Sequence, residues 1–262
     1  MRFFNCNNLY VSGLKHINSQ KNHVSINGCN GVTIEKLHII APERSPNTDG
    51  IDISFSTSIQ IHNCTIKTGD DCIAINGGTS NVNITQVACG PGHGISVGSL
   101  GHNGAHDEVQ GILVNKCCFN GTRNGARIKT WQGGSGFARN ISFSDITLIA
   151  ADNPIIIDQF YCNGRVCKPT NESAVQVSDV TYTGIQGTTV CKKATINFSC
   201  SDTVPCTNIT LNNINITSAA PNSPLHSRCI NAQVTAHLTE PPVNCQAHIQ
   251  ALKGEKNKHA SK

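Results

Sequence analysis

The stretch 51–97 reads IDISFSTSIQIHNCTIKTGDDCIAINGGTSNVNITQVACGPGHGISV, and it states one pattern twice. An alternating apolar pair, Ile51/Ile53 and then Ile73/Ile75, precedes a run of the form apolar-x-apolar-x-x-apolar, Ile59/Ile61/Cys64 and then Val82/Ile84/Val87. Period-2 alternation marks a strand with one buried face. Outward from this stretch the longer run recurs as Leu9/Val11/Leu14, Val32/Ile34/Leu37, Ile112/Val114/Cys117, Ile141/Phe143/Ile146, Val175/Val177/Val180 and Ile209/Leu211/Ile214. The short pair recurs as Val24/Ile26, Ile95/Val97, Ala126/Ile128 and Ile155/Ile157. The spacing, roughly 23 to 34 residues, belongs to solenoid repeats, whereas propeller blades need about 40 or more. Gly, Asn, Ser and Thr fill the intervals, as turns require. No helical periodicity appears, and the Leu/Asn consensus of leucine-rich repeats is absent. The pattern predicts an all-β parallel solenoid forming one domain over residues 1–250, followed by a basic tail, 251–262.

Composition narrows the function classes. Only 14% of the 262 residues are charged, the net charge is +4, and the sole basic cluster is the terminal Lys253–His259. A nucleic-acid surface needs a denser basic stripe, and no apolar run reaches transmembrane length, so neither nucleic acid nor membrane is expected as a partner. A mild positive balance favours a polyanionic substrate. Fourteen cysteines and sequons at Asn63, Asn83, Asn120, Asn140, Asn171, Asn197, Asn208 and Asn215 suit an oxidising, secretory route. Cys72 and Cys89 flank one coil and Cys200 and Cys206 one short loop, so both pairs read as disulfides. Cys6 and Cys29 occupy equivalent positions in adjacent coils and stack as a disulfide or, the preferred reading, as a buried thiol ladder.

Aligning the short pairs exposes the chemistry. Two residues before the first apolar position stand Asp49, Asp71, His93 and Asn124 in successive coils. Because coils stack at about 4.8 Å, these residues form one polar column. Asp70 adds a third carboxylate, and Arg127 and Lys129, two apart on a strand, point to the same side. For a single Asp the bland reading, a solvated turn, is the better one. Three Asp, a His and an Arg/Lys pair in register point instead to a site, because clustered like charges are costly without a function. A calcium site also wants clustered carboxylates, but two cations in the column compete with a metal, so no metal and no cofactor are expected.

Asn47-Thr48-Asp49, Gly69-Asp70-Asp71, Gly92-His93-Gly94 and Arg127-Ile128-Lys129 resemble, in order and spacing, the four signature motifs of the polygalacturonases. The stretches 45–50, 89–101, 127–140 and 153–162 are similar to plant members, so the resemblance covers nearly the whole chain. It implies a right-handed parallel β-helix and inverting hydrolysis of α-1,4-linked galacturonan in pectin. Asp70 matches the general acid, Asp49 and Asp71 the pair that activates water, and His93 the residue that supports the acid's protonation. Arg127 and Lys129 match the binders of the sugar carboxylate, and Tyr161 matches a sugar-contacting tyrosine. Asn47 matches the loop that orients Asp49. The resemblance implies a secreted, monomeric cell-wall enzyme. Family members carry a signal peptide and several coils ahead of the equivalent of Arg2, whereas Met1 opens here on a repeat. The chain is therefore read as beginning partway into the fold, with an uncapped first coil that lowers its stability. The alternative readings are an inactive relative that binds pectin and a calcium-dependent pectate lyase.

Overall fold

The computed structural model describes residues 1–162, 172–220 and 223–245. The sequon at Asn171 and the tail 251–262 lie outside them. The described chain is a right-handed parallel β-helix. One sheet takes a strand from every coil in chain order: Arg2–Phe4, Val24–Asn27, Ile51–Ser54, Ile73–Ile75, Ile95–Leu100, Asn124–Thr130, Asn153–Asp158, Ile196–Ser199 and Ser227–Ile230. A second ladder stacks Asn7–Ser12, Asn30–Glu35, Thr57–His62, Thr79–Thr85 and His106–Asn115, and a third stacks the short strands from Lys15–Ile17 to Cys118–Asn120. These two merge in the long strand Ser135–Ala151, on which Gln176–Thr189, Cys206–Ser218 and Ala232–Glu240 are laid in turn. No helix among the described residues is long and apolar enough to cross a membrane.

The apolar-x-apolar-x-x-apolar run has a backbone cause. Its fifth position is left-handed in copy after copy: Lys36 (φ 53), Asn63 (φ 54), Gln86 (φ 54), Lys116 (φ 53), Asp145 (φ 52) and Asn213 (φ 53). One left-handed residue turns the chain from one sheet into the next and returns the following apolar side chain to the interior. Asn and Asp tolerate that region better than most residues. The seventh copy is displaced from the sequence expectation. Ile141 pairs with Val180 and Phe143 with Tyr182, so the repeat there is Val180/Tyr182/Ile185 rather than Val175/Val177/Val180. Left-handed residues at both Asp179 (φ 54) and Gly184 (φ 63) let this stretch fit the template in two registers.

Strict register makes ladders of like residues. Ile26, Ile53, Ile75, Val97, Ile128, Ile157 and Phe198 follow one another through the core, each with no exposed surface. Burying each contributes about 1.5–3 kcal/mol. Further along, Phe143 stacks on Tyr182 at 5.5 Å between centroids, and Tyr182 on Phe198 at 6.1 Å. Disulfides join Cys72 to Cys89 and Cys200 to Cys206 as the sequence predicts, and a third joins Cys229 to Cys245. Cys6 and Cys29 are both free thiols, with the Cys6 amide 3.3 Å from Cys29 Sγ.

Because solenoid coils lean only on their neighbours, a cavity in one ladder cannot be shared out across a large core. Ile61, fully buried, should cost about 2–5 kcal/mol on replacement by Ala, read as a lowered denaturant midpoint.

Candidate active site

The register Ile51↔Ile73↔Ile95↔Ala126 fixes the polar column. Two residues earlier on each coil come Asp49, Asp71, His93 and Asn124. The amide of Gly50 donates to Asp71 O at 2.9 Å, and the amide of His93 to Asp70 O at 2.7 Å, so the turns that bear the acids are tied to one another. A methyl group on Gly69 would lie 2.0 Å from Ser45 O; only glycine lets the loop 45–48 rest on the turn of Asp70. The tie between them is Thr48, whose Oγ1 accepts from the Gly69 amide at 3.0 Å. Asn47 takes a left-handed conformation (φ 53) and faces the groove.

Asp71 is the centre of the arrangement. Its side chain is 1% exposed. Oδ1 accepts from Arg127 Nη2 at 2.5 Å and from Ser96 Oγ at 3.1 Å, and Oδ2 accepts from Lys129 Nζ at 2.8 Å. Arg127 Nε also donates to Ser96 Oγ at 2.9 Å. A carboxylate offers about four lone-pair positions, so these contacts leave Asp71 one. Asp70 Oδ1 lies 3.0 Å from His93 Nδ1. Burial pushes the Asp70 carboxyl up, but the His93 hydrogen bond, the His93 charge and Lys129 more than offset this and leave it below the ordinary range. Among the described residues no cation stands beside Asp49. Burial first, then the charges of Asp52, Asp70 and Asp71, push it up to about 8.

A groove runs over the column as two cavities, about 640 and 530 Å³, which share Asp70, His93 and Arg123. Asn47 lines the first; Arg127, Lys129 and Tyr161 line the second. Asp49 and Asp71 line neither; Asp71 is buried and Asp49 is partly exposed. Asp70, Asp71 and His93 offer ligand atoms within 4.8 Å of one another, but a metal joining them would have to displace Arg127 and Lys129 from Asp71. The structure thus gathers every residue that the motifs singled out. It adds Ser96, which braces Arg127 and Asp71, and Asp52, which burial pushes up to about 6 and whose Oδ2 accepts from Asn22 Nδ2 at 2.7 Å. Both were visible in principle: Asp52, Ala74, Ser96 and Arg127 occupy one outward-facing register position in successive coils.

A parallel β-helix that lines one groove with carboxylates, a histidine, the part-buried Arg127 and the buried Lys129 places the chain among the β-solenoids with a polar groove along one face. The chain belongs to glycosyl hydrolases family 28, whose model matches residues 1–238. It is 49% identical to a probable polygalacturonase of Arabidopsis thaliana over 94% of the chain and 54% of that protein. It is 48% identical to a polygalacturonase of Persea americana over 82% of the chain and 46% of that protein. The chain thus spans about half the length of the relatives it matches. Among solved structures it resembles an endo-xylogalacturonan hydrolase from Aspergillus tubingensis (TM-score 0.75, 26% identity, 92% of this chain and 65% of that one). It also resembles a polygalacturonase from Erwinia carotovora (TM-score 0.64, 28% identity, 89% and 59%).

The raised Asp49 carboxyl has a consequence for stability. Unfolded, it ionises near the ordinary carboxyl value of 3.8; folded, near 8. Its contribution is fully present below the lower value and is lost as pH rises towards the upper one. Asp49→Asn, which cannot ionise, should therefore match the parent below about pH 4 and exceed it increasingly up to about pH 8, by a few kcal/mol at most. Denaturant midpoints across that range check the sign.

Proposed function

We propose that the protein hydrolyses α-1,4-galacturonosyl linkages of pectin or polygalacturonate with inversion at the anomeric carbon, as a secreted, monomeric cell-wall enzyme acting on a polyanionic polysaccharide. The observation that carries this reading is the Asp70–His93 pair standing where the two cavities meet, with Arg127 and Lys129 facing the same groove from one side. A sugar chain laid along both cavities puts a glycosidic oxygen at the pair and a uronate carboxylate at the cations. A guanidinium suits that carboxylate because it can donate two parallel hydrogen bonds.

In this reading Asp70 protonates the leaving oxygen while water attacks the anomeric carbon from the other side of the C–O bond. The water is held by Asp49 and the last open lone pair of Asp71, and its proton passes to Asp49 in its ionised form, which becomes the neutral carboxyl. Substrate adjusts the acid. A uronate carboxylate at Lys129 offsets one of the charges that lower Asp70, and displaced water lets burial raise it further. Inverting enzymes commonly set their carboxyls about 6.5–9.5 Å apart, retaining enzymes about 5–5.5 Å. One oxygen of Asp71 and one of Asp70 lie within 4.8 Å of each other. A carboxylate engaged by three donors and 1% exposed is nevertheless a poor nucleophile, which favours attack by water.

Asp70→Asn should lower reducing-end release from polygalacturonate by at least about 10²-fold while oligogalacturonate still binds; full activity in this variant sinks the assignment. Proton NMR of the first product, taken with a chelator present, should show the inverted anomer at undiminished rate. A retained anomer contradicts the mechanism, and an unsaturated, ultraviolet-absorbing product would mean a lyase.

A further inference from the structure

The chain has one tryptophan. Trp131 lies two residues beyond Lys129, and the hydrolysis as proposed makes no use of it. Its ring meets Tyr161 nearly at right angles, 5.2 Å between centroids and 82° between planes. On another side it meets His102 at 4.5 Å and 62°. Tyr161 in turn lies over Lys129, whose Nζ is 5.1 Å from the ring centroid, and Lys129 ends on Asp71. Four side chains thus form one train from the rim of the fold to the buried carboxylate.

The train is fixed at several points. The amide of Trp131 donates to Leu100 O at 2.8 Å, and that of Tyr161 to Thr130 O at 3.1 Å. His102 opens the turn His102–Gly104, which Gly101 anchors by donating to Asp107 Oδ2 at 2.7 Å. Gly101 and Gly134 approach so closely that a Cβ on Gly134 would sit 2.6 Å from Gly101 Cα, so the loops on either side of the indole are locked together. The indole Nε1 is buried and has no hydrogen-bond partner among the described residues. Ring packing, rather than a hydrogen bond, sets where the indole lies.

We propose that Trp131 is a positioning residue for acidic-sugar recognition: it fixes the Tyr161 ring over Lys129 and so sets where the sugar carboxylate is received. This rests on the functional reading of the groove given above. Lys129 is almost wholly buried. Asp71 takes one of its three directions and the π face of Tyr161 covers another, which aims the remaining donor at the second cavity. Edge-to-face packing resists rotation of the tyrosine. Without the indole the tyrosine loses its edge-to-face partner, the ammonium is less well aimed, and binding suffers more than bond cleavage.

Because the indole is unique, it reports on itself. Trigalacturonate should be titrated into the full chain carrying Asp70→Asn, followed in parallel by calorimetry and by tryptophan emission. The expected result is a saturable change in emission with the calorimetric Kd. Trp131→Ala should weaken calorimetric binding about tenfold, and Trp131→Phe should restore most of it. In the chain with Asp70 intact, Trp131→Ala should raise KM by a similar factor and leave kcat within about twofold. Calorimetric binding with unchanged emission, or a fall in kcat at constant KM, overturns the proposal while leaving the functional reading in place. Absence of binding in every form overturns both. The emission arm needs no substitution at Trp131, so a misfolded variant cannot shield the idea from refutation.

Discussion

A buried carboxylate answered by two cations from a coil two turns away is the interaction on which the site depends. Asp71 is separated from Arg127 and Lys129 by 56 and 58 residues in the chain, yet the three make one compact knot with Ser96. Burying such charges costs several kcal/mol each unless every lone pair and proton is answered. Removing Asp71 would leave both cations without their carboxylate in the wall, at a cost of about 3–5 kcal/mol. The knot therefore pins three coils in register. It also presents its two cations to the groove with their rotamers already chosen, and what stabilises the wall is thus what prepares it to receive an anion.

Such a knot is possible because a solenoid converts sequence spacing into position. In most folds, residues 20 to 60 apart meet only through the details of tertiary packing. Here coil length and register decide, and both are written in the repeat. That is why the column Asp49, Asp71, His93, Asn124 and the neighbours Asp70, Arg127 and Lys129 could be assembled from the sequence alone. Apolar alternation supplied the alignment, and polar residues in the aligned gaps supplied the site. The same logic found the disulfides Cys72–Cys89 and Cys200–Cys206.

What escaped the sequence is what does not repeat. Asp52 was lost because a single Asp on the outer face of a strand reads as solvated; its significance comes from Asn22, a coil earlier, and from burial that outweighs the charge of Lys129. Ser96 was missed because a serine between apolar residues carries no charge to draw attention, although it stands in the column of Arg127. Tyr161 was named from the resemblance, but its contact with Trp131, and that of Trp131 with His102, join three different coils through their rings, for which no spacing rule exists. The seventh repeat slipped because Asp179 and Gly184 both offer a left-handed bend. Pattern alone cannot choose between two bends; the pairing of Val180 with Ile141 does.

The groove is unequal at its two ends, and the inequality follows from where its lining residues sit. The second cavity takes Arg127, Lys129, Ile156 and Asp158 from paired strands, whose positions are held by ladder hydrogen bonds on both sides. The first takes Glu43, Arg44, Pro46 and Asn47 from an exposed loop. Sites on strands hold geometry more tightly than sites on loops. Charge follows the same division: Arg127 and Lys129 belong to the second cavity alone, while the first sets Glu43 and Asp152 against Arg44 and the shared Arg123. A polyanion bound across both would be gripped by fixed cations on one side of Asp70 and met by a nearly balanced, adaptable surface on the other. Register is then set at the strand-built end, where a misplaced carboxylate meets the strongest penalty, and the loop-built end is left to accommodate what the rest of the polymer brings.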